Sequence, residues 1–135
     1  MINYTEKGIG LHRVVAAAGH ALYQRDGIWL SSNDVAVQAL IDAYDELPDI
    51  KEAKIGAIKA EALLRIAAMF PAITSVDEIQ FYAEFWLSIK VTARAPTVAF
   101  QKVIDIYSAA KTAIASVNSA TTKPGVEAVV VSWPA

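Results

Sequence analysis

The chain predicts a mainly helical α+β fold: a small N-terminal helix–hairpin–helix lobe, then three long helices in an antiparallel, coiled-coil-like bundle, then an extended C-terminal arm. Three observations carry this. The run Asp49 to Phe70, DIKEAKIGAIKAEALLRIAAMF, consists almost wholly of good helix formers and lies between Pro48 and Pro71. Asp26-Gly27 separates two short apolar stretches, the sequence mark of a hairpin turn. Phe100, Val103, Ile104, Tyr107, Ala110, Ile114 and Val117 recur at steps of three and four, the most regular stripe in the chain. The expected divisions are a module over 1–46, a helical bundle over 47–118 and an arm over 119–135.

Taken in order, Gly8 and Gly10 loosen the entry to a helix over Leu11 to Ala18, with Leu11, Val14, Val15 and Ala18 on one side and Gly19 placed to end it. Two strands, His20 to Gln24 and Ile28 to Ser31, flank the turn Arg25-Asp26-Gly27, with Trp29 anchoring the hairpin. Ser31, Ser32, Asn33 and Asp34 are candidate N-caps for a helix reaching Tyr44, which buries Val37, Leu40, Ile41 and Tyr44. The long helix then starts with Asp49 as N-cap and turns Ile55, Ile58, Ala62, Ile66 and Met69 inward. Beyond Pro71, Ser75-Val76-Asp77-Glu78 has capping-box spacing and opens a helix to about Arg94 that carries Phe81, Tyr82, Phe85 and Trp86. Pro96 suits the first turn of the last helix, and Asn118 its end. The valine-rich tail Val126 to Trp133 alternates partly and is expected as an added strand or extended arm.

Composition narrows the function. The 135 residues carry a formal net charge of −2, so no basic excess offers an electrostatic footprint for nucleic acid, and no Lys/Arg run suggests a membrane surface. The start, MINYTEKG, lacks the apolar core of a signal peptide, and charges or helix breakers interrupt every apolar run well short of a membrane span. No cysteine is present, which excludes disulfides and thiolate metal sites and fits synthesis in a cytosol. Yet 55% of residues are apolar, more than so small a chain readily hides, so part of that surface is expected to face another subunit or partner.

Candidate chemistry is thin. His12 and His20 form neither a metal-ligand spacing nor a base–nucleophile pair and read as partly exposed histidines. Asp34, Asp42, Asp45, Glu46 and Asp49 make an acidic stretch suited to hard cations or a basic partner, but the EF-hand spacing and its glycine are missing, and capping and linker acids explain them. Gly8-x-Gly10 lacks the third glycine and preceding strand of a dinucleotide fingerprint. No carboxylate pair stands out for glycoside hydrolysis; Glu78 with Glu84 is no better than others. The expectation is therefore a protein that is not an enzyme and takes no cofactor or metal.

The stretch GLHRVVAAAGHALYQRDGIWLSSNDVAVQALIDAYDELP, followed by IKAEALLRIAAMFPAI, resembles small accessory proteins of tailed bacteriophages and prophages, of the tail or tail-fibre assembly type. The likeness rests on the Gly10-Leu11-His12 start, Ala18-Gly19-His20, Asp26-Gly27-Ile28-Trp29, Ser31 to Asp34, Val37 to Asp42, and Met69-Phe70-Pro71-Ala72. It implies a non-catalytic protein that binds a tail-fibre or tail polypeptide and assists its assembly as a chaperone, in the host cytoplasm. The alternatives are a permanent structural component of the virion tail and a small phage protein acting on a host target. Phe81, Tyr82, Phe85 and Trp86, or Val129, Val131 and Trp133 in the arm, are the expected partner-binding residues. Phe100, Val103, Ile104, Tyr107 and Ile114 are the expected seam of a homo-oligomer, a trimer to match a trimeric fibre.

Overall fold

The computed structural model describes residues 1–71, 73–79, 83 and 98–135, with side chains from 101 onward in the last stretch. The chain is mainly helical with one small two-stranded sheet. Its elements are α1 (Ile9–Ala17), β1 (Leu22–Arg25), β2 (Ile28–Ser31), α2 (Asp34–Ala43), α3 (Leu47–Ala67), α4 (Val98–Ser119) and α5 (Lys123–Glu127), with residues 76–79 also helical. Contacts divide the chain into two units, Met1–Asp49 and Ile50–Ala135, so residues 119–135 fall within the second unit.

In the first unit each boundary has a local cause. α1 ends in a Schellman motif: Gly19 at φ +78°, its N–H donating to Ala16 O at 3.0 Å and that of His20 to Val15 O at 3.1 Å. Asp26 and Gly27 both have positive φ, +52° and +78°, as a two-residue type I′ turn requires. Arg25 therefore belongs to β1, paired with Ile28, rather than to the turn. α2 starts at its N-cap Asn33, whose side chain accepts from Ala36 N at 3.1 Å.

Leu11, Val15, Val37 and Ile41 form the core of this unit, joined by Ile2 from a segment without periodicity, and Tyr4, Leu22, Trp29, Leu40 and Tyr44 pack around it. Full burial of each such aliphatic side chain contributes about 1.5–3 kcal/mol. Val14 and Ala18, expected on the same side of α1, are exposed; only the four-residue step Leu11/Val15 meets α2 and the N-terminal segment.

That segment is tied to α2 along its length. The Met1 amino group pairs with Asp34 Oδ2 at 3.0 Å, and Gln38 clasps Asn3 from both sides, accepting from its N–H at 2.8 Å and donating to its C=O at 3.1 Å. Lys7 Nζ donates to Ile41 O at 2.6 Å and Tyr44 O at 2.9 Å, covering carbonyls that the end of α2 leaves unpaired.

α3 starts two residues before Asp49, at the end of the first unit, because Asp45 Oδ1 accepts from Leu47 N at 3.0 Å and Pro48, lacking an N–H, fits the first turn. It ends at Ala67, followed by turn bonds from Met69 and Phe70 to Ile66 O ahead of Pro71. Ile58, Ala62 and Ile66 are buried, whereas Ile55 and Met69, at the ends of the predicted stripe, are half-buried. Ser75 Oγ accepts from Glu78 N at 3.1 Å, and Glu78 reaches back to Thr74 N at 3.2 Å, one residue before the amide a capping box uses. The continuation of this helix to Arg94, and Pro96, lie outside the described residues.

α4 runs past Asn118 to Ser119 and buries Val103, Ile104, Ile106, Ala110, Ala113 and Val117. The buried face is thus rotated from the predicted stripe: Tyr107 and Ile114 are half-exposed, and Ile106 and Ala113 take their places. The C-terminal stretch departs most from expectation. Thr122 caps a short helix, its Oγ1 accepting from Gly125 N at 3.1 Å with Pro124 in the first turn, so the start of the supposed strand is helical and Val126 is fully buried. Residues 129–135 have no assigned helix or strand.

Candidate functional site

The hairpin of the first unit has two unlike faces. Its register pairs Leu22 with Ser31, Tyr23 with Leu30, Gln24 with Trp29 and Arg25 with Ile28. Alternation puts Leu22 and Trp29 on the inner face, where both pack on the core, and Tyr23, Ile28 and Leu30 on the outer face with Arg25. Tyr23 and Ile28 are 51% and 52% exposed, and among the described residues no third strand or helix covers them. An outer face normally carries polar residues; here three of its four positions are apolar.

Beneath the hairpin lies an aromatic cluster. Tyr4 stacks on Trp29 with ring centroids 3.7 Å apart and 19° between planes, and His12 leans on both. Tyr4 Oη donates to Glu6 Oε2 at 3.0 Å and lies 3.1 Å from His12 Nε2, while Glu6 Oε1 accepts from Gly8 N at 2.9 Å. Burial, then the hydrogen bond and charge of Glu6, push the Tyr4 phenol up to about 12. The group is chemically a short Glu6–Tyr4–His12 hydrogen-bond chain that orients the N-terminal segment under Trp29. Asp34 is held below the usual carboxylate range, first by the Ser31 hydroxyl at 2.6 Å and then by the Met1 amino group.

The residues nominated from sequence are dispersed. Phe81, Tyr82, Phe85 and Trp86 lie outside the described residues. In α4, Val103 and Ile104 are buried within the chain's own fold, so of the nominated seam Tyr107 and Ile114 are the members with exposed surface; the Phe100 side chain lies outside the described residues. Val129, Val131 and Trp133 are half-buried and line, with the exposed Val130 and with Lys54, Ala57, Ile58 and Glu61 of α3, an open cavity of about 420 Å³. Arg65 sits 4.9 Å above the Trp133 ring and is itself held by Glu61, Nε to Oε1 at 2.8 Å.

Two more cavities lie along α4. One of about 340 Å³ is bounded by Ser108, Ala109, Thr112, Ala113 and Ser116 on the helix and by Val130 and Ser132 of the tail. Another, of about 920 Å³, runs from Lys111 to Thr122, where Ser116 and Ser119 hydroxyls donate to helix carbonyls one turn back. Among the described residues no group of three or more His, Asp or Glu side chains could hold a metal ion, and no helix is long and apolar enough to cross a membrane.

No protein-family model, curated protein or solved structure matches the chain. Sequence reasoning passed over Tyr4, Lys7 and Gln38, which fasten the first unit together; no periodicity marks them, because each acts through a single long side chain. The polarity signal for the hairpin face was present in Tyr23, Ile28 and Leu30, but it needed the register to show that they share a side.

Proposed function

We propose that this chain is a tail or tail-fibre accessory protein of a tailed bacteriophage, which binds a tail-fibre polypeptide and assists its assembly or attachment. The first unit is its docking module. The observation that carries this reading is the outer hairpin face, where Tyr23 and Ile28 stand apolar and exposed beside the half-buried Leu30, on a scaffold pinned from below by Trp29, Tyr4 and Leu22. Rigid aromatic and β-branched side chains with an arginine at the rim have the composition of an interface core. The partner class is proposed from the resemblance of residues 10–48 and 58–73 to phage accessory proteins.

The second unit serves self-association in this reading. α3, the helix beginning at 76 and α4 form an antiparallel bundle; Lys51 Nζ donates to Asn118 O at 2.9 Å, which supports opposite directions for α3 and α4. Tyr107 and Ile114 provide the surface on α4 for a trimer. Co-expression with the neighbouring fibre gene tests the function. The fibre is expected to co-purify with this chain and gain solubility, and Ile28→Asp, a change at an exposed position, is expected to abolish both. Fibre yield indifferent to this chain, with no co-purification, would sink the proposal. Mass spectrometry of purified particles separates a transient assembly factor from a permanent tail component.

A further inference from the structure

The ladder of the hairpin defines which backbone groups face outward. Ser32 N donates to Ala21 O at 3.1 Å, so residues 21 and 32 are a hydrogen-bonded pair, and bonded pairs alternate along an antiparallel ladder. Tyr23 with Leu30 and Arg25 with Ile28 are therefore bonded as well, which turns the N–H and C=O groups of Leu22 and Gln24 away from β2. β1 is also the more exposed of the two strands. Tyr23, Gln24 and Arg25 are exposed, whereas Trp29, Leu30 and Ser31 of β2 are half-buried and that strand leads directly into α2. Within Leu22–Arg25 only Arg25 is charged, and neither a proline nor a bulge blunts the edge.

That edge is complementary to itself in one register. Antiparallel pairing of two β1 strands about a twofold axis at Tyr23 sets Leu22 against Gln24 of the second copy and Gln24 against its Leu22, so every outward backbone group of the strand finds a partner. An axis at Leu22 would need the His20 N–H, which Val15 O already accepts at 3.1 Å. An axis at Gln24 would need Asp26 extended, and its φ is +52°. Side chains agree with the Tyr23 register. The two Tyr23 rings meet across the axis on the outer face, and each Arg25 reaches the Tyr23 ring of the other copy on the diagonal. Asp26 comes level with the second copy's His20. Arg25 stands opposite Ala21, which leaves the two Arg25 roughly 13 Å apart, beyond the screening length of physiological salt.

We propose that the β1 edge is a homodimer contact, in which two copies pair antiparallel through Leu22–Arg25 about Tyr23 and form a four-stranded sheet in the order β2–β1–β1–β2. A hairpin of two 4-residue strands is the smallest sheet there is, and pairing gives each strand of β1 a neighbour on both sides. It also joins two outer faces, each carrying Tyr23, Ile28 and Leu30, into one apolar surface wider than a single hairpin supplies. The second copy is favoured over a foreign strand because the register, the tyrosine pair and the arginine–tyrosine contacts are all set by this chain's own residues. Strands this short make a small interface, so the contact is reversible rather than obligate.

The contact does not rest on the tail-fibre reading, and its test contains no fibre, so the two can fail separately. The chain has no cysteine, which lets single cysteines placed along β1 of the full chain report the register. Facing Tyr23 positions form a non-bonded pair with Cα atoms about 4.5 Å apart, within disulfide reach, whereas Gln24 and Arg25 are displaced from their own copies beyond about 7 Å. In glutathione buffer, read on non-reducing gels, Tyr23→Cys is expected to form a covalent dimer at least about tenfold faster than Gln24→Cys or Arg25→Cys. Ala21→Cys combined with Arg25→Cys is expected to cross-link where neither does alone, because each faces the other across the axis. Gln24→Pro removes an N–H that points away from β2, leaves the hairpin's own ladder intact, and is expected to slow cross-linking of Tyr23→Cys about tenfold. Equal rates at the three positions, as an assembly held only through α4 would give, or a double variant that stays monomeric, would overturn the proposal.

Discussion

Leu11→Ala is the sharpest test of how the first unit is held together. Leu11 is fully buried in a core of only five buried residues, with Ile2, Val15, Val37 and Ile41. Truncation removes the transfer free energy of the side chain and leaves a cavity, together about 2–5 kcal/mol. The 49 residues of Met1–Asp49, at roughly 0.05–0.15 kcal/mol per residue, have about 2–7 kcal/mol of stability to lose. The substitution is therefore expected to unfold a large fraction of this unit while leaving the second standing. Hydrogen exchange followed by mass spectrometry reads the two separately: amides of α1, α2 and the hairpin should lose most of their protection, and those of α4 should keep it. If α4 lost protection in step with α1, the chain would unfold as one cooperative block and the division at Asp49 would be wrong as an energetic statement. If α1 kept its protection, the five-residue core would not be what holds the unit.

Two further outcomes follow from local geometry. A Cβ added at Gly10 would collide with the Tyr44 hydroxyl and the Asp49 carboxylate, which are hydrogen-bonded to each other, so Gly10→Ala should separate that pair and lower the melting temperature by the equivalent of about 1 kcal/mol, whereas Gly56→Ala, with open space around it, should stabilise α3. Tyr4 has a folded-state value of about 12 against an ordinary 10, so its neutral form is favoured by folding; its stabilising contribution is complete below pH 10 and is lost as pH rises through 12. The Tyr44 phenol is raised too, first by its hydrogen bond with Asp49, so ultraviolet difference titration should show both Tyr4 and Tyr44 ionising late in the parent, and Tyr4→Phe should lose one of these late steps; an undiminished late step in Tyr4→Phe would contradict the Glu6–Tyr4 bond.

What the amino-acid sequence determined by itself was local. Asp26-Gly27 specifies a hairpin because its turn needs two positive φ angles, and Asn33, Thr122 and Gly19 act on amides or carbonyls within a few residues, so their helix ends are written beside them. The periodicity of α2 named Val37 and Ile41 as buried for the same reason: a helix face is set by spacing alone. Only tertiary structure could decide what covers each face. α1 offered four apolar positions and buried two, and α4 turned Ile106 and Ala113 inward while leaving Tyr107 and Ile114 half-exposed, because burial depends on a neighbour's position and not on the helix's own pattern. Ile2, Tyr4, Lys7 and Gln38 join segments more than thirty positions apart or meet across the core through single side chains, and such pairings leave no periodic trace. The tail shows the contrast most clearly. Its valines announced an extended segment, but that its start is helical and that Val129 to Val131 and Trp133 line a cavity on α3 was decided by the surroundings of the tail.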